Sequence, residues 1–244
     1  SSALHGRDHE ASLLRSAYKR IQLGRVATGI VGKEETKGVE ILTVPEKGGN
    51  KATSQEVVLI SGRSGTGKSH LVRLLGAEIQ ASGNTLFAEG KFDVIRRAEP
   101  LAAINTALDR SCELILSLDG SKLAAIRSAV RDAVGFECSV LEYAIPTFSE
   151  LLGAQQKMKD TIPGNSTVIN ENPTKIQHQL IILITRFVRA VCTHIPFVLF
   201  ADDLQWADTT SLKLLRALVT DQENSGLLLI GCYRDDEVSE ISHP

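Results

Sequence analysis

Eight consecutive residues, Gly62-Arg63-Ser64-Gly65-Thr66-Gly67-Lys68-Ser69, carry the densest chemistry in the chain. They fit the pattern GxxxxGK[ST]. A polyphosphate needs several backbone N–H groups aimed at one point, and glycine lets the chain curl that tightly. Lys68 adds a point charge for the β- and γ-phosphates, and the Ser69 hydroxyl can hold Mg2+. A helix opening after Lys68 turns the positive end of its dipole toward the same anion. Gly62, Arg63, Ser64, Gly65, Thr66, Gly67, Lys68, Ser69 and His70 are therefore the expected phosphate-binding residues.

A phosphate cradle of this kind needs an acidic residue at the tip of a neighbouring strand. Phe197–Asp203 supplies an apolar run that ends in two carboxylates. Asp202 is placed to complete a Mg2+ shell with Ser69, directly or through water. Asp203 is either a base that orients an attacking water or a turn aspartate of the kind common after strands. Gly231–Asp236 ends another apolar run in charge. Arg234 there either points toward the γ-phosphate and reports its presence, or is a solvated arginine paired with Asp235 or Asp236.

The elements that must hold these residues are legible in the patterning. Four short aliphatic or β-branched runs (Glu56–Ser61, Asn84–Ala88, Pro196–Asp202 and Gly226–Tyr233) do not alternate polar with apolar, as suits strands buried on both faces. Between them lie helical stripes: Leu71, Leu74, Leu75 and Ile79; Leu101, Ile104, Leu108, Ile115 and Leu118; Leu123, Ile126, Val130 and Val134; Ile176 through Val191; and Leu212, Leu215 and Val219. Strands alternating with helices predict an α/β fold with a parallel sheet sandwiched by helices. Residues 28–55 and 157–173 break the pattern and read as a flexible insertion and a loop, with Pro173 placed to open the longest helix.

Composition narrows the class. Twenty-seven basic against 29 acidic residues leave a net charge of −2, which offers no electrostatic reason to expect nucleic acid or an anionic membrane. The apolar runs are far shorter than the ~20 residues of a membrane span. With 244 residues the chain is long enough to fold without disulfide or metal staples. Its four cysteines (Cys112, Cys138, Cys192, Cys232) have no zinc-type spacing and read as buried small hydrophobes in a reducing, cytoplasmic compartment. The chain does not begin with methionine, so a piece of something longer is expected.

In order along the chain stand Gly6-Arg7-Asp8-His9-Glu10, the glycine-rich loop, Gly90-Lys91-Phe92-Asp93, Asp202-Asp203-Leu204-Gln205-Trp206-Ala207-Asp208 and Tyr233-Arg234-Asp235. This resembles the AAA+-type ATPase domain of the STAND signal-transduction class, near the origin-recognition-like branch, as embedded in multidomain sensor kinases and LuxR-type regulators. The resemblance implies a P-loop NTPase fold of ASCE/AAA+ type, binding of ATP with Mg2+, slow hydrolysis and a conformational switch. It implies one domain over 1–244: an N-terminal helix at 4–24, the insertion at 28–55, and a core over 56–244 with extra helices at about 100–152. Gly6 and Arg7 match the motif that lies against the base, Asp202 the Mg2+ aspartate, Asp203 the catalytic acidic position, and Arg234 the strand-end sensor.

By themselves the residues around that motif read more plainly, with Asp8 as a cap, Asp208 as N-cap for Thr209–Thr220, Trp206 as packing and Asp93 as a turn residue. Related ATPases often carry Glu where Asp203 stands, and the shorter side chain implies slow turnover. The fifth strand and lid of the family are not evident before Pro244, so the fold is expected to lack the lid and to leave a sheet edge exposed. Expected partners are other domains of the same polypeptide or other proteins, and a nucleotide-dependent oligomer. Three further readings are a non-hydrolysing ATP-binding scaffold, a small-molecule kinase and a DNA-handling ATPase. The kinase lacks an Arg-rich lid, and the DNA reading lacks a basic-aromatic stripe or helix-turn-helix. No [NT]KxD guanine reader is present.

Overall fold

A computed structural model describes residues 7–23, 34–36, 39–43, 55–153 and 173–238. The strands are β1 (Glu34–Thr36), β2 (Val39–Thr43), β3 (Gln55–Ile60), β4 (Leu86–Lys91), β5 (Phe197–Asp202) and β6 (Leu227–Cys232). They form one sheet in the order β1-β2-β3-β6-β5-β4. The four strands from β3 to β4 run parallel. Every position of β5 and β6 is buried, which is why their sequences are unbroken apolar runs rather than alternating ones.

Helices cover both faces. On one, α1 (Asp8–Gln22) and α2 (Lys68–Ser82) place Leu14, Ala17, Ile21, Leu71, Leu75 and Ile79 against Val58, Val198, Phe200 and Leu228. On the other lie α3 (Ala102–Leu116), α4 (Gly120–Val134), α7 (Pro173–Cys192) and α8 (Thr209–Thr220), over Val57, Phe197, Leu199 and Leu229. Two short helices, α5 (Cys138–Ala144) and α6 (Phe148–Leu152), complete that layer. Arg127 Nε donates to the Leu151 carbonyl at 2.6 Å, and Arg131 donates to that of Leu152. The two guanidinium groups thereby satisfy carbonyls that the end of α6 leaves without intrahelical partners. No described helix is long and apolar enough to cross a membrane.

Several expectations need correction. The stretch from 28 to 55 contributes strands: β2 pairs antiparallel with β3 from Val39↔Ile60 to Thr43↔Glu56, and β1 pairs with β2. The edge of β3 is therefore covered rather than exposed. Leu74 lies outside the buried stripe of α2, because Val72 with Leu71 and Leu75 faces the sheet. In α8 the fully buried set is Ser211, Leu214, Leu215 and Leu218, with Leu212 and Val219 half-buried against the same core. Asp8 is the first helical residue instead of a cap, and Arg7 occupies the N-cap position without a side-chain cap bond.

Other expectations hold. Pro173 opens α7, and Asp208 caps α8. All four cysteines are buried, and burial pushes the thiols of Cys112, Cys192 and Cys232 far above their usual range. Most of the loop expected over 157–173 lies outside the described residues, as does Gly6.

Candidate active site

The glycine-rich loop joins the carboxyl end of β3 to the first turn of α2. Gly65 and Gly67 adopt φ of +79° and +84°, a left-handed conformation that a Cβ would penalise. The Thr66 hydroxyl closes the loop with a 2.9 Å bond to the Arg63 carbonyl. Lys68 is buried, and its ammonium donates to the Gly62 and Arg63 carbonyls at 2.5 and 2.9 Å. The charge therefore lies in the concavity of the loop. Arg63 through Thr66 and His70 stand exposed around it.

Asp202 ends β5 and is buried beside the loop. Its Oδ1 accepts from the Ser69 hydroxyl at 2.7 Å and from the Asp203 amide at 3.1 Å, and its Oδ2 from Arg73 Nη2 at 3.0 Å. Burial pushes this carboxyl above the ordinary carboxylate range. The Ser69 hydroxyl and the Arg73 charge oppose that shift, while Asp203 reinforces it. Ser69 and Asp202 offer hard oxygen donors, the type that holds Mg2+. Among the described residues no group of three His, Cys, Asp or Glu side chains could hold a metal alone. The donor set of Ser69 and Asp202 fits Mg2+, with its remaining ligands open to water or a bound polyphosphate.

Asp203 begins the turn that leaves the sheet. Its backbone is left-handed, φ 56° and ψ 47°, which aspartate tolerates better than most residues, and a 3-10 turn over Leu204–Trp206 follows. The Asp203 carboxylate accepts from Gln205 Nε2 at 3.2 Å and lies 3.7 Å from Arg234 Nε and 3.8 Å from Lys91 Nζ. Arg234 follows the end of β6, and among the described residues it also pairs with Glu237, at 2.6 Å. The arginine is therefore paired, but with Asp203 and Glu237 rather than with Asp235 or Asp236. The charges of Arg7, Lys68, Asp202 and Asp203 all act on the Cys232 thiol at the end of β6, after burial, which is the main cause of its raised pKa.

The remaining motif residues build the frame. Asp208 accepts from Ser211 N at 2.9 Å as the cap of α8, and from Leu101 N at 3.3 Å. Trp206 packs against the helical layer. Asp93 accepts from the Arg96 amide at 2.8 Å, the turn role expected of it. Phe92 is buried, and its amide bonds the Asp202 carbonyl at 3.0 Å.

Four residues of the site were not foreseen: Arg73, Glu89, Lys91 and Gln205. Arg73 stands one helical turn after Ser69 and also pairs with Glu89. That i, i+4 spacing was visible. Lys91 and Gln205 lie within motifs already noted, whereas nothing local marks Glu89.

A family model described as "AAA ATPase domain" matches residues 49–230. The chain is 29% identical over 166 residues to Hybrid signal transduction histidine kinase G of Dictyostelium discoideum, covering 68% of this chain and 4% of that protein. It is 26% identical over 226 residues to an uncharacterized protein of Rhizobium meliloti (strain 1021), covering 89% of this chain and 20% of the relative. The chain thus spans a small part of each of these relatives.

Proposed function

The chain belongs to the AAA ATPase domain family, and from that premise we propose that it is an ATP-binding, slowly hydrolysing switch domain of a larger signalling protein, of the STAND type. The observation that carries the reading is the meeting of Ser69 and Asp202 at 2.7 Å beside a glycine-rich loop that encloses the Lys68 ammonium. A signalling context is supported by the name of the Dictyostelium relative, a histidine kinase, of which the chain spans only a small part.

In this reading Gly62 through His70 wrap the phosphates with backbone N–H groups, and Gly6 and Arg7 border the base. Lys68 exchanges the loop carbonyls for phosphate oxygens. Ser69 and Asp202 would hold Mg2+, which would neutralise phosphate charge when bound. Asp203 accepts a hydrogen bond from the attacking water and takes its proton as the oxygen bonds to phosphorus and the bond to ADP breaks. Arg234, released from Asp203, pairs with the γ-phosphate and reports its loss. Catalysis is positioning and electrostatics, without a covalent intermediate. The partners are other domains of the same polypeptide, with nucleotide-dependent assembly of several copies and an intracellular location as parts of the same proposal.

A second reading has one specific observation behind it. Asp203 is short for a water-orienting residue and is engaged by Gln205, Arg234 and Lys91. A scaffold that binds ATP without hydrolysing it would look the same. Calorimetry with Mg-ATP on wild type and Lys68→Ala, beside phosphate release from wild type and Asp203→Asn, separates the two. The switch reading expects binding lost in Lys68→Ala, and phosphate release reduced about 100-fold in Asp203→Asn with binding kept. Wild-type binding with no phosphate release leaves the scaffold; no wild-type binding refutes both.

A further inference from the structure

Gln205 is only 2% exposed, in a turn whose neighbours Leu204 and Trp206 are half-buried. A primary amide taken out of water needs partners, and two of those it finds belong to the site. Its Nε2 donates to Asp203 Oδ1 at 3.2 Å, and its Oε1 accepts from the Arg234 main-chain N–H at 3.2 Å. The amide cannot be reversed: a carboxylate only accepts and a backbone N–H only donates, so the pair dictates which end faces which. Among the described residues, the bond to Gln205 is also the shortest polar contact of the Asp203 carboxylate with another side chain, since Arg234 and Lys91 stand beyond hydrogen-bond reach. The turn itself is seated on β6, because Leu204 fills the space over Gly231.

From this geometry we infer that Gln205 is a positioning residue that sets Asp203 and Arg234 against each other. It touches neither phosphate nor water. It holds the Asp203 carboxylate away from full ion pairing with Arg234, and it ties the base of the Arg234 side chain to the turn that carries Asp203. The inference rests on the roles proposed above for Asp203 and Arg234. A shift of Arg234 toward a γ-phosphate is transmitted through one buried amide to the residue that handles water.

The test measures Mg-ATP affinity by calorimetry and kcat by phosphate release, for Gln205→Leu and Gln205→Glu in the wild-type and Asp203→Asn backgrounds. Leu removes both bonds at similar volume. We expect kcat to fall about tenfold or more with affinity within about twofold, and the Leu substitution to have a much smaller further effect once Asp203 is Asn. Glu supplies a control that does not depend on the Leu variant folding. When ionised it repels Asp203; when protonated its O–H donates to Asp203 while its other oxygen accepts from Arg234 N–H. Its kcat should therefore recover relative to wild type as pH falls from about 8 to about 6.

Equal losses from Leu in both backgrounds, or a Glu variant whose ratio to wild type ignores pH, overturn the assignment of Gln205 alone. Wild type that binds no Mg-ATP, or binds it and releases no phosphate, overturns the hydrolytic reading of the site and this inference with it.

Discussion

The Ser69 hydroxyl donates to Asp202 Oδ1 at 2.7 Å across 133 residues of sequence, joining the first turn of α2 to the tip of β5. The bond ties the helix to the strand tip beside the glycine-rich loop, where Arg73 of α2 also reaches Asp202. Asp202 still accepts from the Asp203 amide and Arg73 when the hydroxyl is lost. Ser69→Ala should then cost only about 1 kcal/mol of stability, the net worth of one hydrogen bond. Its larger effect should fall on the metal. Calorimetry in Mg2+ and in EDTA should show affinity for ATP reduced at least tenfold in Mg2+ and nearly unchanged without it. Equal losses in both buffers would make Ser69 a phosphate contact instead.

Asp202 also makes stability depend on pH. Its folded-state pKa is raised, chiefly by burial, so the unfolded chain releases this proton first. Its favourable contribution is full below the unfolded carboxylate value and is lost as pH rises through the raised folded value. Asp202→Asn has no proton to lose there. In thermal melts without nucleotide, the wild type should lose stability relative to Asp202→Asn as pH climbs from about 4 toward neutrality. A flat difference would mean that Ser69 and Arg73 fully compensate the burial. Mg-ATP should stabilise wild type far more than the variant.

What the sequence made legible follows from how local each signal is. The parallel strands were readable because β5 and β6 are buried on both faces and so carry unbroken apolar runs. The cradle was readable because its glycines and Lys68 are contiguous. β2 was hidden: its place depends on the open side of β3, a tertiary fact, and its surroundings are rich in Gly, Lys and Glu. Leu74 fits a helical period but lies off the face that the sheet selects. Lys91 reaches Asp203 because the β4–β5 register sets Lys91 opposite Asp202. No window of sequence contains that register.

Asp208 is expected to matter more for stability than its position in the acidic motif suggests. It caps α8 through Ser211 and also accepts from the amide of Leu101, a fully buried residue held at φ 65°. Asp208→Ala removes a cap worth about 1 kcal/mol and strands a buried amide at a further 1–3 kcal/mol. Urea unfolding should show a loss of about 2–4 kcal/mol. Asp208→Asn, which keeps one acceptor, should lose less. Equal losses in the two variants would mean that charge, rather than acceptor geometry, is what Asp208 supplies.

Gly231 offers a way to move the turn that carries Asp203 without touching it. It sits in β6 between Leu59 of β3 and Ala201 of β5, and a Cβ there would come 2.5 Å from Leu204 Cδ1 and 2.8 Å from Leu59 Cδ2. Both distances are below van der Waals contact, so a leucine must shift. Overpacking of this kind costs about 1–3 kcal/mol, partly offset by the lower chain entropy of alanine. For a chain of this size Gly231→Ala should lower Tm by about 3–6 °C. Leu204 immediately follows Asp203, so the shift passes to the carboxylate and kcat should fall while Mg-ATP affinity holds. A variant with lowered Tm and unchanged kcat would show that Leu59 yields and that the turn does not depend on its seat over Gly231.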